Sequence, residues 1–186
     1  MHKILNTLKR EHKSNVELLA IFEQQINLIA LAKHPDIDIV DGIVEYFGSF
    51  LLRIHHPKEE IVLASLKARC PEHAAMLSVI NDDHYRFYDR IHTFSETVHG
   101  VLGEGAQVME RQTFVDLAKA FMQSERDHME REEKDFFPRA DKHLSAKDWH
   151  TIEAEIAAEP AFDAAASRRH AQLRREIRAW QKENDS

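Results

Sequence analysis

Cysteine, glycine and proline are all scarce in this chain: one, five and five residues out of 186. The single cysteine, Cys70, excludes an internal disulfide framework and suits a reducing compartment. So few glycines and prolines, beside plentiful Leu, Ala, Glu, Lys and Arg, favour long helices over a turn-rich β fold. Long hydrophobic runs are missing too. The longest, such as Leu28 to Ala32, are far too short to span a bilayer, and Lys3, Lys9 and Arg10 interrupt the N-terminus before any secretory apolar region develops. There is no excess of positive charge: a formal net charge of −7 argues against nucleic acid as the main partner. What these absences leave is a cytoplasmic helical chain, long enough to bury a core, with no membrane partner.

What is abundant is histidine. Thirteen residues are about twice the usual frequency for a chain of this length. Their positions relative to the apolar stripes matter more than their number. A first segment from about Lys3 to Lys33 carries Leu5, Leu8, His12, Asn15, Leu19, Phe22, Ile26 and Ile29 in steps of three and four, the spacing of one helical face. Two polar residues, His12 and Asn15, therefore hold core positions. His34-Pro35-Asp36 is the expected break. A second segment, about Asp36 to Arg69, runs through Ile39, Val40, Ile43, Val44, Phe47, Phe50, Leu51 and Ile54 to His55-His56-Pro57-Lys58-Glu59-Glu60, then Ile61, Leu63 and Leu66. Pro57 is expected to kink or bulge this helix, and the stripe changes phase there. After Cys70-Pro71, a third segment places His84 among Leu77, Ile80, Phe87, Ile91, Phe94, Val98 and Val101, before Gly100, Gly103 and Gly105 end it. A fourth, about Gln107 to Phe137, reads Phe114, Leu117, Phe121, Ser124, His128 and Glu132.

Four amphipathic segments joined by short breaks predict an all-α, antiparallel up-down four-helix bundle. Residues equally distant from a hairpin turn lie at one height, since each helix rises about 1.5 Å per residue. The midpoint of His12 and His56 is position 34, that of His56 and His84 is 70, and that of His84 and His128 is 106; all three fall at the breaks. The four imidazoles are thus expected in one tier. In a helix, residues four apart share a face, so His56 with Glu60 and His128 with Glu132 each offer a paired bite on a metal. A lone histidine on an apolar face is more often a hydrogen-bonded core residue than a ligand. Burying four imidazoles and two carboxylates together without a cation, however, costs about 1–3 kcal/mol per unsatisfied group. His55 lies about 100° round the helix from His56, which places it behind the ligands or toward solvent. Six nitrogen and oxygen ligands exceed what tetrahedral zinc needs and suit iron or manganese; two carboxylates bridging a pair of ions, with a bridging oxygen, give each about five ligands and leave an open position.

His12, His56-x-x-x-Glu60, His84 and His128-x-x-x-Glu132, with flanking Glu11, Pro57 and Phe136-Phe137-Pro138, resemble the hemerythrin-like (HHE cation-binding) domain over about residues 1–140. The resemblance implies a non-haem di-iron centre with oxygen, nitric oxide, peroxide or iron chemistry. Oxygen-carrying members have a further histidine where this chain has Tyr88, and an aspartate five residues after the last histidine rather than Glu132 at four. The missing imidazole would open a coordination site; Tyr88 either lines it or, as is commoner for such a residue, simply packs in the bundle. Two other readings fare worse. Ferritin-like oxidases need Glu-x-x-His on two helices, and only Glu125 and His128 supply it; a zinc protease needs His-Glu-x-x-His, which is absent.

Residues 141–186 form an extension with two expected helices. One starts at Ser145 as N-cap and runs to Glu159 before Pro160; the other runs from Phe162 with Ala166, His170, Leu173, Ile177 and Trp180 on its stripe. That stripe must cover the bundle or a second subunit, which makes a homodimer through these helices possible. The expected function is binding or sensing of oxygen, nitric oxide or iron at a carboxylate- and oxo- or hydroxo-bridged di-iron site. The alternatives are an enzyme acting on peroxide or nitric oxide there and, third, a metal-free helical interaction module.

Overall fold

The computed structural model describes residues 1–103, 108–159 and 164–184. Its elements are α1 (Lys3–Ala30), α2 (Ile37–Tyr46), α3 (His56–Arg69), α4 (Ala74–Leu102), α5 (Arg111–Arg131), α6 (Phe137–His143), α7 (Ala146–Ala158) and α8 (Ala164–Asn184). Two π-helical stretches, Phe47–His55 and Glu132–Phe136, join α2 to α3 and α5 to α6. Four rods result, α1, α2–α3, α4 and α5–α6, arranged as an antiparallel bundle in which α1 lies against α5 and α2, and α4 against α5, α2 and α3. There is no strand among the described residues, and no described helix is long and apolar enough to cross a membrane.

The rods begin and end for local reasons. His2 caps α1, its Nδ1 accepting from the Ile4 amide, while its ring stacks on Trp149. The helix stops three residues before the expected Lys33: Ala32 takes φ 56°, Ala32 N–H donates to Ile29 C=O and Lys33 N–H to Leu28 C=O. This is a Schellman closure with alanine where glycine is usual. Asp36 caps α2 through Ile39 N–H. Ser145 and Asp148 form a capping box on α7, as its sequence anticipates. Helix α4 ends at Leu102, before Gly103; Gly105, Pro160 and Phe162 fall outside the described residues.

Pro57 produces a bulge rather than a sharp kink. Lacking N–H, proline cannot bond the carbonyl four residues back, and its ring pushes that carbonyl aside. The chain before it widens to i→i+5 bonding, as in His56 N–H to Leu51 C=O. Pro138, at the start of α6, follows the second π stretch in the same way.

The apolar core is divided. One cluster gathers Phe22, Ile26, Phe47, Phe94, Phe114 and their neighbours; the other gathers Leu5, Leu8, Leu63, Leu77, Phe136 and Trp149. Between them lie the buried polar residues His12, His55, His56, Glu59, His84, His128 and Glu132. Leu117, expected on the inner stripe, is 44% exposed; Val115 and Ala118 are buried on either side of it. Helix α7 packs on α3, and α8 on α2 and α1. Ile177 and Leu173 of α8 meet Gly42, where a Cβ would lie 3.6 Å from the Leu173 side chain, and Trp180 donates to Asp36.

Candidate metal centre

The expected tier exists, with one substitution and one addition. His12, His56, His84, His128 and Glu132 are all at most 4% exposed and face one another. Glu60 does not join them. Its side chain is 48% exposed on the far side of His84, with Oε1 3.5 Å from Nδ1. Glu59 occupies the centre instead, 0% exposed, and His55 enters with it. The π stretch is the cause: each of its residues turns through a smaller angle than in an α-helix, so by His55 the face pointing inward has moved round. A signal for this lay in the sequence. Stepping back four from Leu63 or seven from Leu66, both buried, reaches Glu59 and not Glu60.

The groups fall into two sets that could each hold a cation, His12, His55, Glu59 and Glu132 on one side, and His56, Glu59, His84 and His128 on the other. Glu59 belongs to both. Its Oε1 lies 3.3 Å from His12 Nε2 and 3.2 Å from His55 Nε2, while its Oε2 lies 3.5 Å from His84 Nε2. Glu132 is shared too: Oε2 is 3.3 Å from His12 Nε2 and 3.4 Å from His128 Nε2, and Oε1 is 3.4 Å from His84 Nε2. His12 Nε2 and His55 Nε2 face each other at 3.0 Å. His56 stacks on His84 at 4.2 Å between ring centroids and meets His128 edge-on at 5.4 Å.

His56 therefore brings a third imidazole to the set that contains His84. Tyr88 plays no part in it. That side chain is 58% exposed, stacked beside His92 on the outer surface, and Tyr85 is more exposed still.

Outer carboxylates stand behind four of the five rings. Glu11 accepts from His55 Nδ1 at 2.8 Å and is itself held by Lys58; Glu133 meets His12 Nδ1 at 3.1 Å; Glu60 lies behind His84. Asp83, gripped by Arg131, stands 3.7 Å from His128 Nδ1. The hydrogen bonds to His55 and His12 fix those rings so that Nε2 points inward, while Glu60 and Asp83 act on His84 and His128 through charge alone. Although burial favours its protonated form, Asp83 is held down to about 2 by His128 and Arg131.

Does the tier fit a cation? Both carboxylate oxygens of Glu59 and Glu132, and both nitrogens of His84 and His128, are buried without a hydrogen-bond partner. Contacts of 3.2–3.5 Å attract but are too long or misaligned to satisfy them. Burial alone would neutralise Glu59, yet the His55, His12 and His84 rings hold it well below the usual carboxylate range. Glu132 is lowered as well, against both burial and the Glu59 charge. Conversely, burial disfavours charge on His12 and His84, but the carboxylates raise both well above an ordinary histidine. The two carboxylates are thus held charged at the centre, where protons on the surrounding rings balance them and a bound cation could take the place of those protons. His56, buried beside two other imidazoles and shifted well below the usual value, is neutral and ready to donate a lone pair.

Five imidazoles and two shared carboxylates, turned inward from all four rods, define a bundle-type cation-binding protein. The chain belongs to the hemerythrin HHE cation-binding domain family, whose model matches residues 3–140. No curated protein and no solved structure matches it significantly.

Proposed function

We propose that this is a non-haem di-iron protein that binds or senses a small ligand. One ion would be held by His12 and His55, the other by His56, His84 and His128, with Glu59 and Glu132 shared between them. The observation that carries the reading is the pair of fully buried, orphaned carboxylates, each with its oxygens directed at imidazoles of both sets. Iron suits a donor set of nitrogen and oxygen without thiolate, and bound iron would supply reversible electron transfer and open coordination positions. The set with His12 and His55 has one imidazole fewer, so a small ligand is accommodated on that side. The chain's own part is to hold the rings by their outer carboxylates, to keep the tier dry between two apolar clusters, and to balance the cation charge. A free, buried Cys70 is consistent with a reducing cytoplasm as the place of action.

Metal analysis of the purified full chain tests this. Two iron ions per chain are expected, with His12→Ala and His56→Ala each binding less than the parent. Wild-type protein that takes up no transition metal would sink the proposal.

One observation favours turnover of peroxide or nitric oxide as a second reading. Glu125 is 2% exposed beside His128, with Arg90 at 3.5 Å, and burial lifts its carboxyl to about 7. An acid of that strength next to the centre can hand over a proton near neutrality. Stopped-flow mixing of the reduced, iron-loaded protein with each candidate separates the readings: a stable adduct supports binding or sensing, and sustained consumption supports an enzyme.

A further inference from the structure

We infer that the small ligand reaches this centre through the seam between α1 and α5, past Met129 as a gate, and is met inside by the amide of Asn15. The inference rests on the proposed function for its ligand, but its geometry is independent of which metal is bound.

Two spaces lie on either side of Met129. Outside is an open groove of about 570 Å³ along α1 and α5, floored by His12 and Met129 and edged by Lys9, Lys13 and Glu133. Inside is a narrow gap bordered by His55 of one ligand set and by His56 and His128 of the other. Met129 is a wall of both. At rest the gap is too tight to seat even a water molecule, and Met129 is only 7% exposed, so the route is shut. An unbranched thioether with three rotatable bonds is the side chain best able to swing aside. Its rotation would at once make room in the gap and join it to the groove.

The gap is not merely an imperfection in the core. Phe47, Leu51 and Met129 give it an apolar wall suited to a neutral ligand of two or three heavy atoms. Against that wall stands Asn15, 1% exposed, one helical turn after His12. The Tyr46 hydroxyl, itself fully buried, donates to Asn15 Oδ1 at 3.0 Å, which leaves Nδ2 as the end without a partner. An orphaned buried donor costs about 1–3 kcal/mol, and a ligand able to accept a hydrogen bond recovers it. Tyr46 is fixed in turn by Phe50 stacked at 5.0 Å and by the Arg174 guanidinium of α8 lying 5.8 Å from its ring centroid. The amide is therefore oriented before any ligand arrives.

The test uses the full chain. With iron loaded and reduced, nitric oxide association is followed by stopped-flow for wild type, Met129→Ala and Met129→Trp. Association is expected to quicken by about tenfold in the first variant and slow by about tenfold in the second, with iron content unchanged. Asn15→Leu is expected to raise the dissociation rate by about tenfold while leaving association within twofold. Rates within twofold of wild type in both Met129 variants, at normal iron content, would overturn the route and leave the di-iron reading standing. A second measurement needs no iron. Dissolved oxygen broadens nearby methyl resonances, and the Leu51 methyls are expected to broaden in wild type more than in Met129→Trp; equal broadening in both overturns the gate. Should the protein bind no iron yet show this difference, the proposed function falls and the route survives.

Discussion

The second and fourth rods carry the same device in opposite order, and the difference explains what each does to the site. In the fourth, π-helical geometry begins at Glu132 and runs to Phe136, so His128 and Glu132 still stand in ordinary α-helical register. In the second, the π stretch runs from Phe47 to His55, so every ligand arrives at its end or beyond it. There the inward face is displaced, two adjacent histidines share the interior, and Glu59 replaces Glu60 as the central carboxylate. A proline downstream of the widened turns is common to both rods; whether the ligands precede or follow those turns decides whether simple spacing finds them.

The strongest way to break this comparison is to exchange roles between the neighbouring glutamates. Glu59→Ala is expected to lose most bound metal, to well below one ion per chain, and to lower Tm in the metal-loaded state, because metal stabilises only the folded form. Glu60→Ala, which removes only an outer contact to His84, should retain near-normal stoichiometry with metal affinity weakened by about tenfold at most. Metal analysis with thermal melts reads both, and equal loss in the two variants would refute the displaced register.

Next in size is a pH effect on the fourth rod. Glu125 is raised from its ordinary value to about 7 by burial. The folded state thus holds a proton there that the unfolded state has released, and stability is lost as pH rises from about 4.5 towards 7. Glu125→Gln is expected to flatten that dependence and to be more stable than wild type above pH 7 by about 3 kcal/mol. Urea melts across this range check it, and a Gln variant with an unchanged slope would be the contrary result.

The two prolines sharpen the contrast. Restoring the missing N–H in Pro57→Ala should let the second rod relax toward ordinary helix and weaken metal binding by about tenfold, the scale of losing a supporting contact. Pro138→Ala, beyond the last ligand, should change it less than twofold by the same competition titration. The smallest effect is expected on the uninterrupted first rod: Ala32→Gly relieves the φ of 56° and should add roughly 1 kcal/mol, about 2–4 °C in Tm, with metal content unaffected.

The uninterrupted rods were the legible ones. His12 and His84 sit on stripes of unbroken three-and-four spacing, and both are buried where that spacing put them. The hairpin midpoints placed the tier because loop positions follow from Pro35, Pro71 and the Gly103 break, which local chemistry marks plainly. His55 and Glu59 were not legible by the same rule, since a widened turn of nine residues leaves no composition signature of its own; only the stripe downstream of Pro57 records the shift. Tyr88 stays outside the site for a related reason. Its candidacy rested on a missing imidazole, and His56 supplies an imidazole from another rod. The Asn15–Tyr46 pair could be half anticipated, as a polar residue on an apolar stripe, but its partner lies 31 positions away.

Because the same two carboxylates face both sets of rings, uptake of the proposed pair of ions would be coupled. A first cation would draw Glu59 and Glu132 into place, so that a second would find their oxygens already oriented. Chains should accordingly be populated as doubly filled or unfilled species, with singly filled ones scarce, and loading curves should rise more steeply than independent sites allow.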